Sequence, residues 1–421
     1  MSNTFYKTLI DAYPTSEALF AHLRDTAKLQ IRSERSAGVD AARPLALIHY
    51  DKETSDMTSP LASHFRSVVW NMLTNRPVCV GPARGVALDA SATEVPGGGP
   101  FVVEDFVDGV MLNQFHDGER WRVATRTQID AGAGFYGKTS FAELFADTFI
   151  ASGLKLDDLD KGLCYSWVLQ HPKERVVVAV PYGVPRLFLV EASRIAADGS
   201  VTVLSAAERR AAIPLTGTAG DKLMPVTHDL TTLAAVRERV VAWGRRLGAG
   251  WQGIVVKAAD GTRYKLRSDQ YNEARHMRGN QAKLAYLWLE RWSEGRINQY
   301  LRQYPEEQHE AEAIINRFKI VTQEVHDVHQ AIYKRREYPL GRASRKYRKL
   351  IWDMRQAGVK GFFPDIRDFM NKQDVARKLW LVNYEDHYGP AVPEPEVKAT
   401  EPEKTTDEAE TPATGGAAAT E

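Results

Sequence analysis

Hydrophobic and polar residues change their rhythm twice along the chain. Up to about residue 60 the pattern is polar with short helical spacing, as in Ala18-Leu-Phe-Ala-His-Leu23, and it predicts a helical lead-in that ends in a loop near Thr54 to Pro60. From residue 65 to about 265, β-rich runs set between Gly, Pro and Asp turns take over. Ser67-Val-Val-Trp70, Val78-Cys-Val80, Phe101-Val-Val103, Arg122-Val-Ala-Thr125, Val176-Val-Val-Ala-Val180, Arg186-Leu-Phe-Leu-Val190 and Gly253-Ile-Val-Val256 predict strands. Two Asp-Gly turns predict hairpins, one at His116-Asp-Gly-Glu119 and one at Ala259-Asp-Gly-Thr262. Residues 141–152 and 230–247 have the spacing of helices that cover a sheet. Beyond Ser268 the chain turns to Pro-poor stretches rich in Glu, Arg, Gln and Leu, over 271–303, 306–336 and 342–357, which predict an all-helical C-terminal domain.

The pattern divides the chain into a lead-in (1–60), a sheet domain (61–268), a helical domain (269–388) and a tail (389–421). The tail is rich in Pro, Ala, Thr and Glu with few large apolar residues, and it predicts disorder because burial cannot offset the entropy of ordering it. With 421 residues, 43% hydrophobic and 26% charged, the body can bury a core. Two cysteines, Cys79 and Cys164, without any CxxC or Cys/His grouping, exclude a disulfide framework and a zinc site and fit a reducing cytoplasm. No apolar run approaches the roughly 20 residues of a membrane span, and residues 1–24 lack the pattern of a secretory leader. The net charge of +1 conceals an asymmetry, since the tail carries −6 and the rest therefore +7. Cations bunch at Lys334, Arg335, Arg336, Arg345, Lys346, Arg348 and Lys349, with Tyr333, Tyr338 and Tyr347 among them, a mixture suited to a phosphate backbone and unstacked bases.

Chemistry concentrates in three ordered segments: Glu104-Asp-Phe-Val-Asp-Gly109, then Gln252-Gly-Ile-Val-Val-Lys257, then Tyr264-Lys-Leu-Arg-Ser268. In that order they resemble motifs I, IV and V of the covalent nucleotidyltransferases, the superfamily of RNA ligases, DNA ligases and capping enzymes. Residues 62–283 carry the match, which is nearest in character to the phage-type RNA ligases. The resemblance implies an α+β chain, with an ATP-grasp-like, antiparallel-sheet nucleotidyltransferase domain followed by the helical domain. In this superfamily the motif I lysine attacks the α-phosphate of ATP or GTP, which requires a lowered lysine pKa and metal ions on the phosphates. Here Phe106 stands at the lysine position, so no catalytic residue is assigned; Lys138, Lys161 and Lys173 are unranked alternatives. Val168 replaces the motif III glutamate and Gln252 the motif IV glutamate, so no metal ligand is assigned.

The cationic half of the pattern persists. The resemblance implies nucleotide contacts from Arg66, Asp108, Gly109, Arg126, Lys257, Lys265 and Arg267, with Trp167 or Tyr165 stacking on a purine or else packing in the core. Lys265 and Arg267, two apart on a strand, point into one cleft. Three functions remain open. One is an RNA ligase-like protein of RNA repair that acts on 5′-phosphate ends with ATP or GTP, and Mg²⁺ if active. The second is a catalytically inactive nucleotide- and RNA-binding scaffold, with a protein partner on the helical domain. The third is a structural protein that inherited the fold.

Overall fold

The computed structural model describes residues 2–33, 44–89, 91–137 and 139–393. Strands run in chain order as β1 (Ser2–Asn3), β2 (Gln30–Ser33), β3 (Leu45–His49), β4 (Val68–Asn71), β5 (Arg76–Val80) and β6 (Val86–Ala87). They continue with β7 (Val102–Asp105), β8 (Val110–His116), β9 (Trp121–Ala124), β10 (Leu163–Gln170) and β11 (Arg186–Ile195). The last are β12 (Val201–Val203), β13 (Thr227–His228), β14 (Gly253–Lys257) and β15 (Arg263–Arg267). They form three sheets, ordered β1-β12-β11-β10-β8-β9, β13-β7-β14-β15-β6 and β2-β3-β4-β5, antiparallel except for the β15/β6 pair. The α+β class, with antiparallel sheets followed by a helical C-terminal region, is therefore borne out.

The lead-in differs from expectation. Phe5–Ala12 and Ser16–Ala27 are helical, in line with expectation, but β2 and β3 follow and belong to the third sheet. Leu45-Ala-Leu-Ile-His49 escaped the alternation test because every residue of β3 is buried. One face packs Ala46 and Ile48 with Leu19, Phe20 and Leu23; the other packs Leu45 and Leu47 with Phe115 and Cys164 of the six-stranded sheet. Residues 176–180 also fail to form a strand. The amides of Val177 and Val178 donate instead to the buried Asp108 carboxylate at 3.0 and 2.8 Å, and the Tyr271 hydroxyl donates to its other oxygen at 2.7 Å.

Alternation along β8 and β10 gives the six-stranded sheet two distinct faces. Leu112, Tyr165, Trp167 and Leu169 pack on the helix Phe141–Ala151, which a Ser140/Glu143 capping box starts. Met111, Asn113, Ser166 and Val168 occupy the opposite face. The five-stranded sheet is sided in the same way. Val103, Ile254, Val256 and Tyr264 pack on the helix Leu233–Leu247, leaving Glu104, Lys257, Lys265 and Arg267 on the other side. Both predicted hairpins form, with His116 opposite Trp121 and Lys257 opposite Arg263. Gly109 is required where it stands: at φ 144° a Cβ would lie 2.4 Å from the Leu169 carbonyl oxygen.

The two charged faces are joined by a buried network. Glu104 pairs with the Lys257 ammonium at 2.8 Å and with the Arg209 guanidinium. Both cations also donate to the Val190 carbonyl, at 2.9 and 2.7 Å. Arg278 performs a similar service further along, bonding Tyr136, Tyr300 and Glu307. The first compact unit therefore extends past 268, through Leu287 and again over Glu294–Gln308. The second comprises Trp288–Ser293 and the chain from His309. Its core joins Leu289, Phe318, Val325, Leu350, Ile351, Ile366 and Leu381. Residues 394–421, most of the expected disordered tail, lie outside the described residues. Among the described residues no helix is long and apolar enough to cross a membrane.

Removing Arg209 leaves Glu104 and the Val190 carbonyl buried with one partner fewer. Arg209→Ala is predicted to destabilise the protein by about 3–5 kcal/mol in urea denaturation, and a loss below about 1 kcal/mol would show that the network is dispensable.

Candidate functional site

β15 places Lys265 and Arg267 on one face, and β7 leads Phe106 to the same place, its amide bonded to the Gly253 carbonyl at 2.9 Å. The Arg267 guanidinium lies 5.0 Å over the Phe106 ring, so the aromatic face holds a cation where the resemblance would put an amine. The Arg267 Nε is buried without a hydrogen-bond partner. Lys265 runs across Gly85, where any Cβ would collide with its Cε at 2.3 Å. Among the described residues Arg66, Lys265 and Arg267 make no ion pair with any carboxylate.

Mutual repulsion identifies the rest of the group. Burial, with the fields of Arg267, Arg66, Arg263 and Arg84, pushes the Lys265 ammonium down to about 7. Burial, then Arg263 and Arg126, pushes Arg66 down to about 10. Burial and Arg275 lower Arg267; burial and then Arg275, Arg126, Arg267 and Arg66 lower Lys52. Lys52 and Arg275 were not singled out from the sequence, because neither sits in a recognisable motif. Arg66 and Arg126 also border a small concavity with Ser67, Gly81, Pro82, Met111 and Asn113. Asn113 and Ser67 of its lining belong to a chain of hydrogen bonds from Ser166 to Asn113 (2.8 Å), from Asn113 to Ser67 (3.1 Å) and from Ser67 to the Thr125 carbonyl (3.1 Å). Arg126 itself donates to the Tyr50 carbonyl at 3.3 Å and lies over the Tyr50 ring.

Other expected contacts sit elsewhere. Trp167 is fully buried and its indole nitrogen donates to Gln114 at 3.0 Å on the helix-covered face, so neither it nor the equally buried Tyr165 can stack on a ligand in the cleft. Lys257 shares the face of Lys265, but its ammonium is taken by Glu104 and Val190, and burial pushes it down to about 8. It shapes the site without offering a free charge. Asp108 likewise holds the site's walls together through Val177, Val178 and Tyr271. Glu191, opposite Ser166 in the register, contributes the field of a carboxylate to Arg66 and Lys257 and was missed. Lys161 is exposed on a turn and Lys173 in the short 3-10 helix Pro172–Glu174, and Lys138 lies outside the described residues.

Residues 132–139, Gly-Ala-Gly-Phe-Tyr-Gly-Lys-Thr, satisfy the spacing of a phosphate-cradling loop, a signal the sequence reading passed over. The protein's own carboxylate fills this loop. Glu174, buried, accepts from the amides of Phe135, Tyr136 and Gly137 at 3.1, 3.2 and 3.3 Å. β9 ends at Ala124, well before the loop, so the strand-to-helix continuity of a triphosphate site is absent.

In the second unit, Lys346 is buried between Glu324 and Glu385, 3.0 Å from each, and does not belong to an RNA-facing patch. Lys349 pairs with Asp353, Arg335 with Glu337, and Arg348 donates to the Ala343 carbonyl. Lys334, Arg336 and Arg345 are exposed.

No family model matches the chain, and no curated protein does. Solved structures do. A putative ATP-dependent DNA ligase from Aquifex aeolicus aligns at 13% identity over 75% of this chain and 81% of its own, with a TM-score of 0.38. An archaeal ATP-dependent RNA ligase aligns at 12% identity over 91% and 98%, also at 0.38. A Naegleria gruberi RNA ligase variant solved with ATP and Mn aligns at 14% over 46% of this chain, which spans 58% of that one, at 0.33. These are distant likenesses, and the reading of the site rests on its own residues.

A triphosphate or phosphate end fits this set of donors. A metal held by protein carboxylates does not, since the two positions the resemblance would use hold Val168 and Gln252, the latter with its Oε1 buried and unbonded. Among the described residues no three His, Cys, Asp or Glu gather to hold an ion. The lowered Lys265 pKa predicts that an anion offered to this cleft binds with an affinity that depends on pH. Below about 7 the ammonium already exists; above it, binding must take up a proton, so affinity falls by up to about tenfold per pH unit. Lys265→Arg stays charged throughout. The ratio of wild-type to Lys265→Arg affinity for ATP, measured by calorimetry from pH 6 to 8.5, is predicted to fall through pH 7; a constant ratio would contradict the assignment.

Proposed function

We propose that this chain is an RNA ligase-like nucleotidyltransferase-fold protein whose cleft binds nucleoside triphosphate or the 5′-phosphate end of RNA without forming a lysyl-nucleotide. The observation that carries this reading is the cluster of Arg66, Lys265 and Arg267, half-buried and without an ion-pair partner among the described residues. Gathering like charges in a poorly solvated cleft costs stability, and a polyanion is the ligand that relieves it. Each charge-assisted contact to phosphate is worth about 1.5–3 kcal/mol.

The covalent step requires an amine to attack the α-phosphate while pyrophosphate leaves. Phe106 has no such atom, and its ring is engaged by Arg267. The chain therefore acts as a binding module for RNA ends or nucleotides, with strand-joining chemistry absent or supplied by another protein. Intact-mass spectrometry after incubation with ATP or GTP and Mg²⁺ is predicted to show an unchanged mass. Phe106→Lys alone leaves this unchanged, because Val168 and Gln252 supply no carboxylate. A gain of one AMP or GMP by the wild-type chain would make it an active enzyme with a relocated nucleophile.

A further inference from the structure

Lys265 differs from the other lysines near it. Lys257, on the neighbouring strand, gives its ammonium to Glu104 and to the Val190 carbonyl. Lys52 and Lys161 are exposed to solvent. Lys265 is half-buried, and among the described residues its nitrogen makes neither an ion pair nor a hydrogen bond. Unlike the Arg267 Nε, that nitrogen is not sealed from water. Its stem is fixed in direction. β15 lies between β14 and β6, with Lys265 opposite Val255 on one side and Ala87 on the other. The side chain then crosses Gly85 so closely that a Cβ there would lie 2.3 Å from Cε and 3.1 Å from Cγ.

The surroundings of this amine oppose a charge on it. Partial burial, then the fields of Arg267, Arg66, Arg263 and Arg84, hold it down to about 7, so neutral amine is abundant near neutral pH. Carboxylate fields reach the cluster from Glu191 on Arg66 and from Asp108 on Arg267, without pairing. A desolvated lysine beside other cations is a nucleophile, and the same cations offer a seat to the anionic end of its target. The arrangement also selects that target. Attack on the phosphorus of a nucleotide drives an electron pair into a ring of negative oxygens, whereas a carbonyl carbon has no such ring. In an acyl phosphate this carbon is one bridging oxygen from the phosphorus, so guanidinia that hold the phosphate bring the carbon to the amine.

We infer that Lys265 is a site of covalent acylation by small acyl phosphates, whose phosphate group the Arg66 and Arg267 guanidinia hold. The neutral amine adds to the carbonyl carbon and the N–C bond forms. The C–O bond to phosphate breaks, the phosphate leaves with the electron pair as inorganic phosphate, and the surplus proton of the amine passes to water. The guanidinia stabilise the departing anion. A neutral amide then replaces a cation, so acylation removes one of the phosphate contacts of the cleft. The inference rests on the reading of this cleft as an anion site.

The full chain is incubated with acetyl phosphate near neutral pH, and peptide mass spectrometry gives the acetylation rate at each lysine. Lys265 is expected to react at least about tenfold faster than the exposed Lys161. Pyrophosphate is expected to suppress the reaction at Lys265 and to leave Lys161 unchanged. Arg66→Ala and Gly85→Ala are each expected to slow it severalfold, the first by loosening the phosphate and the second by displacing the Lys265 stem; matching circular dichroism checks that both fold. The N-hydroxysuccinimide ester of acetic acid, which carries no phosphate, is expected to narrow the preference for Lys265. Acetyl phosphate that labels Lys265 no faster than Lys161 would overturn the inference, as would an equal preference with the phosphate-free ester. If Lys265→Ala still weakens pyrophosphate binding in calorimetry, such a failure refutes acylation alone; if Lys265→Ala binds pyrophosphate as well as wild type, the cleft reading fails as well.

Discussion

The buried carboxylate of Glu104 is the constraint on which the site depends. It lies on one sheet and takes both Lys257 and Arg209, each of which also reaches the Val190 carbonyl on the other sheet. A buried ion pair contributes little net stability against apolar packing, but it is specific in geometry, since an unpaired charge in its place is costly. Two faces that would otherwise slide are thereby held at one spacing. Lys257, the most recognisable lysine of the sequence, serves this structural role, while Lys265 and Arg267 of the adjacent strand share its face and form no ion pair among the described residues.

The consequence is a division between spent and unspent charge. Glu104, Lys257, Arg209, Arg278 and Glu307 are paired inside the fold, and the Glu174 carboxylate fills the glycine-rich loop that could have cradled phosphate. Among the described residues Arg66, Lys265 and Arg267 form no ion pair, and only the fields of Glu191 on Arg66 and of Asp108 on Arg267 offset their repulsion. Phe106 belongs to this economy in a definite way: its ring faces Arg267 and stabilises a cation without neutralising it.

Much of this was legible in the chain. Strand periodicity and the two Asp-Gly turns located β8/β9 and β14/β15, and the two-residue spacing of Lys265 and Arg267 placed both on one face. Other parts were hidden for physical reasons. β3 has no alternation because both its faces are buried, and Val176–Val180 looks like a strand but gives its amides to Asp108. Trp167 and Lys346 are residue types that suit ligands, and only their surroundings, an apolar core and two glutamates, show otherwise. Lys52, Arg275 and Glu191 come from segments without motif character and join the site through tertiary folding alone.

The most direct test of this account is a calorimetric titration of inorganic pyrophosphate, at fixed pH and salt, into the wild-type protein and into Arg66→Ala/Lys265→Ala/Arg267→Ala. Loss of three charge-assisted contacts is predicted to weaken binding at least about a hundredfold. Equal affinity in the two proteins would contradict the claim that these cations form an anion-binding cleft.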